Sequence, residues 1–191
     1  MIRAILVFNN QGKPRVIKFF VHYPEDTQQA IIKEVFHMVS TRDDTVCNFL
    51  EGPSKLGGGD FRLIYRHYAT LYFVFCVDTS ESELGILDLI QVFVESLDRQ
   101  FENVCELDLI FHVDKVHNIL QEICMGGMVL ETNMAEILTH VEGQDSKEKS
   151  EVTATSTIKN TMSSAPNKAL SAVKNLQNTS IKLPSLPSIK F

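Results

Sequence analysis

FRLIYRHYATLYFVFCVD, residues 61–78, contains two runs of high β-propensity with almost no connector between them. The second run, residues 69–77, is apolar at nearly every position and does not alternate with polar residues. Continuous apolar character is typical of a central strand that is covered on both faces. The stretch therefore predicts a tight hairpin that turns near His67 and Tyr68 and needs helices on both sides of its sheet.

Further strands are predicted before this hairpin. Residues 2–8 are apolar, residues 9–12 have turn composition, and residues 15–21 alternate enough to pair back onto the first run. Pro14 suits the start of the second strand, because proline cannot donate a ladder hydrogen bond from its middle. Residues 46–51 predict a short strand. The expected sheet thus has five antiparallel strands.

Two helices are predicted around the central hairpin. Residues 24–27 open the first one, with acidic residues in its first turn. Residues 80–83, SESE, resemble a capping box for the second, which would extend for about four turns. The apolar positions at helical spacing are Ile31, Ile32, Val35, Phe36 and Val39 in the first helix, and Leu84, Leu87, Ile90, Val94 and Leu97 in the second.

The C-terminal part of the folded region predicts two more helices. One extends from about Glu106 to Cys124 and ends at Gly126 and Gly127. Thr132 and Asn133 can cap a final short helix that carries Ile137, Leu138 and Val141. The apolar residues on one face of the longer helix are Leu109, Val113, Val116, Leu120 and Ile123.

Composition divides the chain into one domain and a tail. The 191 residues are 44% apolar and 22% charged, as in a soluble globular protein. From residue 143 onward, Ser, Thr, Asn, Lys and Pro dominate, and too little apolar area remains to offset the entropy of ordering. We therefore predict an α/β domain over residues 1–142 and a disordered tail over residues 143–191.

Charge and cysteine usage exclude several classes of protein. The net charge is −6, and the tail from residue 145 carries +4, so the preceding residues carry −10. Such an acidic domain argues against nucleic acid as a partner. No apolar run approaches the roughly 20 residues of a membrane span, and no signal peptide is evident. The four cysteines are widely spaced on apolar segments and predict buried free thiols in a cytosolic protein.

A search for catalytic or metal-binding motifs finds no convincing site. The six histidines are spread over different elements, and His112 and His117 lack the spacing of a zinc-binding pair. Glu106 and Asp108 are interpreted as surface charge and helix-start residues. Residues 57–59, GGG, lack the Lys and Ser or Thr of a phosphate-binding loop. The sequence predicts a non-enzymatic protein without cofactor or metal.

A series of short motifs resembles the small (sigma) chains of the clathrin adaptors. Residues 63–66, LIYR, are followed by residues 71–73, LYF, with four residues between them. Further matches occur in the same order over roughly residues 1–141. They are Met1-Ile2-Arg3, Gln11-Gly12-Lys13 with Arg15, Arg42-Asp43, Asn48-Phe49, Tyr68-Ala69, Cys76-Val77-Asp78, Phe93-Val94-Glu95 and Asn103-Val104-Cys105-Glu106-Leu107-Asp108-Leu109.

Three features depart from the common pattern of that family. Residues 52–59 form a glycine-bearing insert, Phe19 and Phe20 stand where relatives often carry Trp and Tyr, and the polar tail is long. The insert and the tail together resemble the sigma subunit of the third adaptor complex, which sorts cargo toward lysosome-related organelles.

The resemblance implies a longin-like (SNARE-like) fold and a set of partners. A sigma subunit is embedded in a heterotetramer with two large adaptin chains, delta-type and beta-type, and a medium mu chain. Through that complex it associates peripherally with Golgi, endosomal and vesicle membranes and with a small GTPase of the Arf type. We expect a role in transport from Golgi and endosomes to lysosomes and related organelles.

The resemblance also implies a cargo site. Acidic dileucine sorting signals carry an acidic residue before two adjacent leucine-type side chains. The family's pocket maps onto aliphatic and polar positions in three segments, with Arg15 near the signal's acidic residue. The pocket positions are Ala69, Leu71, Val94, Asn103, Val104, Leu107 and Leu109. The simpler alternative is that the aliphatic residues are ordinary core and that Arg15 is a solvated strand residue.

Two other classes of function remain open on the sequence. A free-standing longin-type domain that acts with SNAREs or regulators of small GTPases shares the expected order of strands and helices. A SNARE, however, would continue into a heptad-patterned helix, which the tail lacks. An enzymatic or small-molecule-binding α/β domain would need a convergent polar site that the sequence does not reveal.

Overall fold

The central hairpin lies within a five-stranded antiparallel sheet, as predicted. The computed structural model describes residues 1–43, 46–53, 60–144 and 146–147. Hydrogen bonding places the strands in the order β2-β1-β5-β4-β3. The strands are β1 (Ile2–Asn9), β2 (Pro14–Phe19), β3 (Phe49–Glu51), β4 (Phe61–Tyr68) and β5 (Leu71–Asp78).

The turn of the central hairpin lies two residues later than predicted. Tyr68 pairs with Leu71, so the chain reverses over Ala69 and Thr70. Ala69 adopts a left-handed backbone with φ of 51°, which two-residue hairpins require and which usually selects Gly or Asn. His67, which was predicted to turn, pairs with Tyr72, and the two rings stack with centroids 4.1 Å apart.

Helices cover both faces of the sheet, which confirms the layered architecture. Helix α1 (Glu25–Ser40) covers one face with Ile31, Val35 and Val39. The other face is covered by α2 (Glu83–Phe101), α4 (Val113–Ile123) and α5 (residues 134–144). Alternate residues of β1 point into the two cores: Leu6 and Phe8 face α1, whereas Ile5 and Val7 face the other helices.

Helix α2 begins after Ser82, whose hydroxyl accepts a hydrogen bond from the Gly85 amide at 3.3 Å. Its buried face differs from the predicted apolar stripe. Leu84 is 68% exposed, whereas Ile86, Leu89 and Phe93 face the core together with Ile90 and Leu97. The helix also extends for 19 residues, which is longer than expected.

The single helix predicted from Glu106 to Cys124 is in fact two helices. Helix α3 (Glu106–Phe111) ends at His112, and α4 begins at Val113. The break leaves Val113 exposed, although it was predicted to face the core. Helix α4 ends at Ile123 and leads into a small hairpin of β6 (Cys124–Met125) and β7 (Met128–Val129), which turns at the two predicted glycines.

The cap of the last helix is as predicted: the Asn133 side chain accepts a hydrogen bond from the Ala135 amide at 3.0 Å. Residues Met1–Gly143 form a compact unit. The predicted disordered tail lies almost entirely outside the described residues, as do residues 54–59 of the glycine-bearing insert. No described helix combines the length and the apolar character needed to cross a membrane.

The cysteine prediction is correct for two of the four residues. Cys76 and Cys124 are buried, and burial raises the pKa of each thiol to about 12. Cys47 and Cys105 are exposed, because they lie in connecting segments and not within the strands or helices that form the core.

Candidate functional site

A cavity of about 490 Å³ lies beside the turn of the β4–β5 hairpin. Three segments form its wall: residues 68–73 of the hairpin, the C-terminal half of α2, and residues 104–106 before and at the start of α3. Four of the predicted cargo-site residues line it together. They are Ala69, Leu71, Val94 and Val104.

Aromatic packing holds the hairpin side of this cavity. Phe73 lines the cavity, and its ring is only 1% exposed. It meets Tyr68 edge to face at a centroid distance of 5.9 Å, and it meets Phe93 of α2 in the same way at 5.9 Å. Aromatic rings in such arrangements have few alternative positions in a packed core. The apolar surface is therefore set by the sheet and by α2 together.

A left-handed turn after α2 places Val104 in the cavity wall. Glu102 and Asn103 both have positive φ, at 51° and 80°. The Asp98 carboxylate accepts a hydrogen bond from the Val104 amide at 3.1 Å, and the Asp98 carbonyl accepts one from Asn103 at 3.3 Å. The last turn of α2 thus orients the chain that enters α3.

Three predicted pocket residues lie outside the lining of this cavity. Asn103 is exposed in the left-handed turn, and Leu107 is 59% exposed on α3. Leu109 is 1% exposed and belongs to the core under α3. Their assignment to the cargo site stays a prediction.

Arg15 is paired with a carboxylate that borders the cavity. Its Nε and Nη2 atoms contact Oε1 of Glu106 at 2.7 and 2.6 Å, and Nδ2 of Asn9 donates to the same oxygen at 3.0 Å. The hydrogen bond from Arg15 lowers the pKa of Glu106, and the Asn9 hydrogen bond adds to the effect. Glu106 itself lines the cavity, so this ion pair joins the apolar cavity to the β1–β2 turn.

Sequence reasoning missed the position of Glu106 in this site. It had interpreted Glu106 and Asp108 as surface charge and helix-start residues. That interpretation holds for Asp108, whose carboxylate accepts a hydrogen bond from the Cys105 amide at 2.8 Å. Backbone and side-chain hydrogen bonds from Cys105 therefore lower the pKa of Asp108. Glu106 pairs with a residue 91 positions away, and no local pattern in the sequence signals such a contact.

The arrangement is suited to binding an aliphatic group beside acidic ones. Leu71, Phe73, Val94 and Val104 offer apolar surface, while the carboxylates of Glu95, Asp98 and Glu106 line the same cavity. Within residues 1–43, 46–53, 60–144 and 146–147, no group of three His, Cys, Asp or Glu side chains could hold a metal ion. An aliphatic side chain is the natural occupant of the apolar part.

Residues 1–148 match the family model of the clathrin adaptor complex small chain. The chain belongs to that family of adaptor small chains. The resemblance in the sequence motifs is thereby confirmed, and the family is one of adaptor subunits and not of enzymes.

Individual relatives of this adaptor small chain are AP-3 sigma subunits. It is 65% identical over 187 residues to the human AP-3 complex subunit sigma-2, covering 98% of this chain and 90% of that protein. The AP-3 complex subunit sigma of Dictyostelium discoideum is 61% identical over 153 residues, covering 79% and 90%. The corresponding subunit of Arabidopsis thaliana is 54% identical over 142 residues, covering 74% and 85%.

A structural neighbour of the small chain agrees with this relationship. A chain of a homology model of the full-length AP-3 complex, in a stretched open conformation, superposes with a TM-score of 0.63 at 42% identity. The superposition covers 81% of this chain and 99% of the other.

Proposed function

We propose that this small chain is the sigma subunit of an AP-3-type adaptor complex and that it contributes the binding site for acidic dileucine sorting signals. The observation that carries the cargo site is the cavity whose wall joins Leu71, Val94 and Val104 to the Arg15–Glu106 pair. In this assignment the two leucines of the signal enter the cavity and the acidic residue lies toward Arg15. The similarity to AP-3 sigma subunits supports the assembly.

The proposed partners are those of the heterotetramer. A delta-type and a beta-type large chain and a medium mu chain assemble with this subunit. The complex, and not this chain alone, reaches Golgi and endosomal membranes, where it meets a small GTPase of the Arf type. Its cargo then travels to lysosomes and related organelles.

Two exposed apolar patches support a permanent interface. The helix patch lies on α3 and the start of α4, and its Phe111 is 73% exposed. The hairpin patch lies on and just after β6 and β7, and its Met128 is 64% exposed. Such patches are typical of surfaces that a partner covers. The helix patch also contains Ile110 and Val113, and the hairpin patch Met125, Val129 and Leu130.

The energetics predict weak binding of isolated signals. Burial of two leucine side chains stabilises a complex by about 3–6 kcal/mol before association costs. A charge pair at a partly solvated position adds at most about 1 kcal/mol. Tight selection of membrane cargo therefore depends on avidity, in which a complex on the membrane makes several weak contacts at the same time.

The cargo proposal is tested in the assembled complex with a dileucine peptide. Val94→Asp places a charge in the cavity and should abolish binding, and Leu107→Ser should do the same if the predicted pocket extends to α3. Leu84→Asp is the matched control, because it adds the same charge to an exposed position of the same helix. Arg15→Ser should weaken binding mainly at low salt. Normal peptide binding by an assembled Val94→Asp complex would refute the cavity assignment.

The assembly proposal is tested by native co-purification from cells. Large adaptin chains should appear in near-equal amounts with the tagged small chain. A free-standing longin-type domain would instead bring SNAREs or GTPase regulators, and adaptin chains would be absent. The isolated chain should self-associate, and a stable monomer at high concentration would contradict a permanent interface.

A further inference from the structure

The carboxylate of Glu106 lies where hydrogen-bond donors of Arg15 and Asn9 converge. Its Oε1 atom accepts hydrogen bonds from Nε of Arg15 at 2.7 Å and from Nδ2 of Asn9 at 3.0 Å, and Nη2 of Arg15 lies in ion-pair contact with it at 2.6 Å. We propose that Glu106 is a built-in competitor for the acidic residue of the sorting signal and thereby sets how strongly the site selects acidic signals. This inference rests on the proposed cargo site.

The donors are oriented toward this position before any peptide arrives. Oδ1 of Asn9 accepts hydrogen bonds from the amides of Gln11 and Lys13 at 3.0 and 2.8 Å. This fixes the side-chain amide so that its NH2 group points to Glu106. The Arg15 side chain is largely buried, with only 19% of its surface exposed, which limits the positions that its guanidinium can take. A carboxylate from another chain would therefore find the same donors in place.

Glu106 lies between the apolar cavity and Arg15, the two parts of the proposed site. It lines the apolar cavity, and it also contacts the guanidinium of Arg15. A peptide whose leucines fill the cavity and whose acidic residue reaches Arg15 must therefore meet Glu106. An Arg presents five N–H donors, and Glu106 already engages two of the three nitrogens that carry them.

Two carboxylates on one guanidinium repel each other. An incoming acidic residue must either displace Glu106 or bind beside its charge, and both reduce the net gain from the new ion pair. A peptide with a neutral residue at the same position avoids this cost. Glu106 therefore weakens the preference for acidic signals without changing the apolar part of the site.

The experiment measures a ratio of affinities in the assembled complex. Two dileucine peptides are used that differ only by Glu or Gln at the acidic position. Glu106→Gln keeps the shape of the side chain and removes its charge. The preference for the Glu peptide should rise by about two- to fivefold, the factor that a partly solvated ion pair contributes. Adding Arg15→Ser to Glu106→Gln should remove that gain.

Glu95→Gln is the matched control. Glu95 also lines the cavity, but its carboxylate accepts a hydrogen bond from Gln91 at 2.8 Å, whereas the carboxylate on Arg15 is that of Glu106. Removing its charge should change the preference less than Glu106→Gln does. Equal changes in the two variants would overturn the proposal, because the effect would then come from overall charge.

Two further outcomes separate this inference from the proposed function. If peptides bind through their leucines but Glu106→Gln leaves the Glu-over-Gln preference unchanged or reduces it, competition by Glu106 is refuted while the cargo site stands. If a peptide with both leucines replaced by serine binds as well as the parent peptide, the cargo site is refuted and this inference with it. Size-exclusion chromatography of each variant complex confirms assembly before binding is compared.

Discussion

Phe73 of β5 lies edge-on to Phe93 of α2, with ring centroids 5.9 Å apart and an interplanar angle of 82°. Phe93 is fully buried, whereas Phe73 lines the candidate cavity. The core of the domain and the wall of the site are therefore parts of one packed unit.

Phe93→Ala should destabilise the domain by about 3–5 kcal/mol, because a large buried ring is removed and a void remains. It should also weaken peptide binding, since Phe73 loses the ring that supports it. Leu84→Ala, at an exposed position of the same helix, should cost less than about 0.5 kcal/mol. Urea unfolding monitored by circular dichroism gives both values, and comparable losses would contradict the packing argument.

The β6–β7 turn offers a comparison of two adjacent glycines. Both have positive φ, 59° at Gly126 and 82° at Gly127. A Cβ atom on Gly126 would meet nothing within 4 Å, whereas one on Gly127 would lie 2.3 Å from the carbonyl oxygen of Ile2. Gly126→Ala should therefore cost about 1–2 kcal/mol for the backbone strain alone.

Gly127→Ala should cost clearly more, because the backbone of β1 would have to move away. The Gly127 carbonyl also accepts a hydrogen bond from the Ile2 amide at 2.8 Å, and that bond would be strained or lost. Thermal unfolding of the two variants side by side measures the difference. Equal melting temperatures would mean that the turn is not held against β1.

His117 makes the stability of the domain pH-dependent. Partial burial lowers its pKa from 6.5, and the positive charge of Lys18 adds to the effect. Because the folded state binds the proton more weakly than the unfolded chain, the histidine favours folding above pH 6.5 and loses that effect as pH falls through the folded pKa. Lowering the pH from 7.5 to about 5.5 should thus destabilise the parent more than His117→Gln. Thermal melts at both values test this, with His22→Gln as a control for loss of an exposed histidine.

The domain boundary stays a prediction that deletion can test. The last buried core residue among those described is Val141. Deleting residues 145–191 should therefore leave the melting temperature nearly unchanged, and a fall of more than a few degrees would mean that the tail packs on the domain. Deleting residues 134–191 should strongly destabilise it, because Ile137 and Val141, both fully buried, would be lost.

Long periodic elements of the fold could be predicted from the sequence, but their ends and phases could not. Continuous apolar runs identified β1 and β5, because burial on both faces leaves no alternation. The turn at Ala69 escaped notice because its left-handed backbone carries no Gly or Asn. Leu84 fits an apolar stripe by spacing, yet it lies outside the buried face of α2, which carries Ile86 and Leu89. The break at His112 has neither proline nor glycine to mark it.

Only those residues of the candidate site that belong to the family motifs could be predicted from the sequence. Ala69, Leu71, Val94 and Val104 come from three separate segments, and the resemblance alone assigned them to one place. Glu106 was missed because its role depends on a contact with Arg15 across 91 residues. Such pairs follow from the register of the sheet and the approach of α3, which no local pattern encodes.

Strand β1 is bonded to β2 on one side and to β5 on the other, and Ile2 pairs with Val77. During synthesis at about 5–20 residues per second, β1 emerges seconds before its second partner exists. Helix α1 can cover one face of the sheet early, but the other face is fully covered only after residues as late as Val141 have been synthesised. A ribosome that stalls before β5 has been synthesised would therefore leave an apolar strand edge and a sheet face exposed. Incomplete chains should therefore bind chaperones or be degraded before they can assemble with partner subunits.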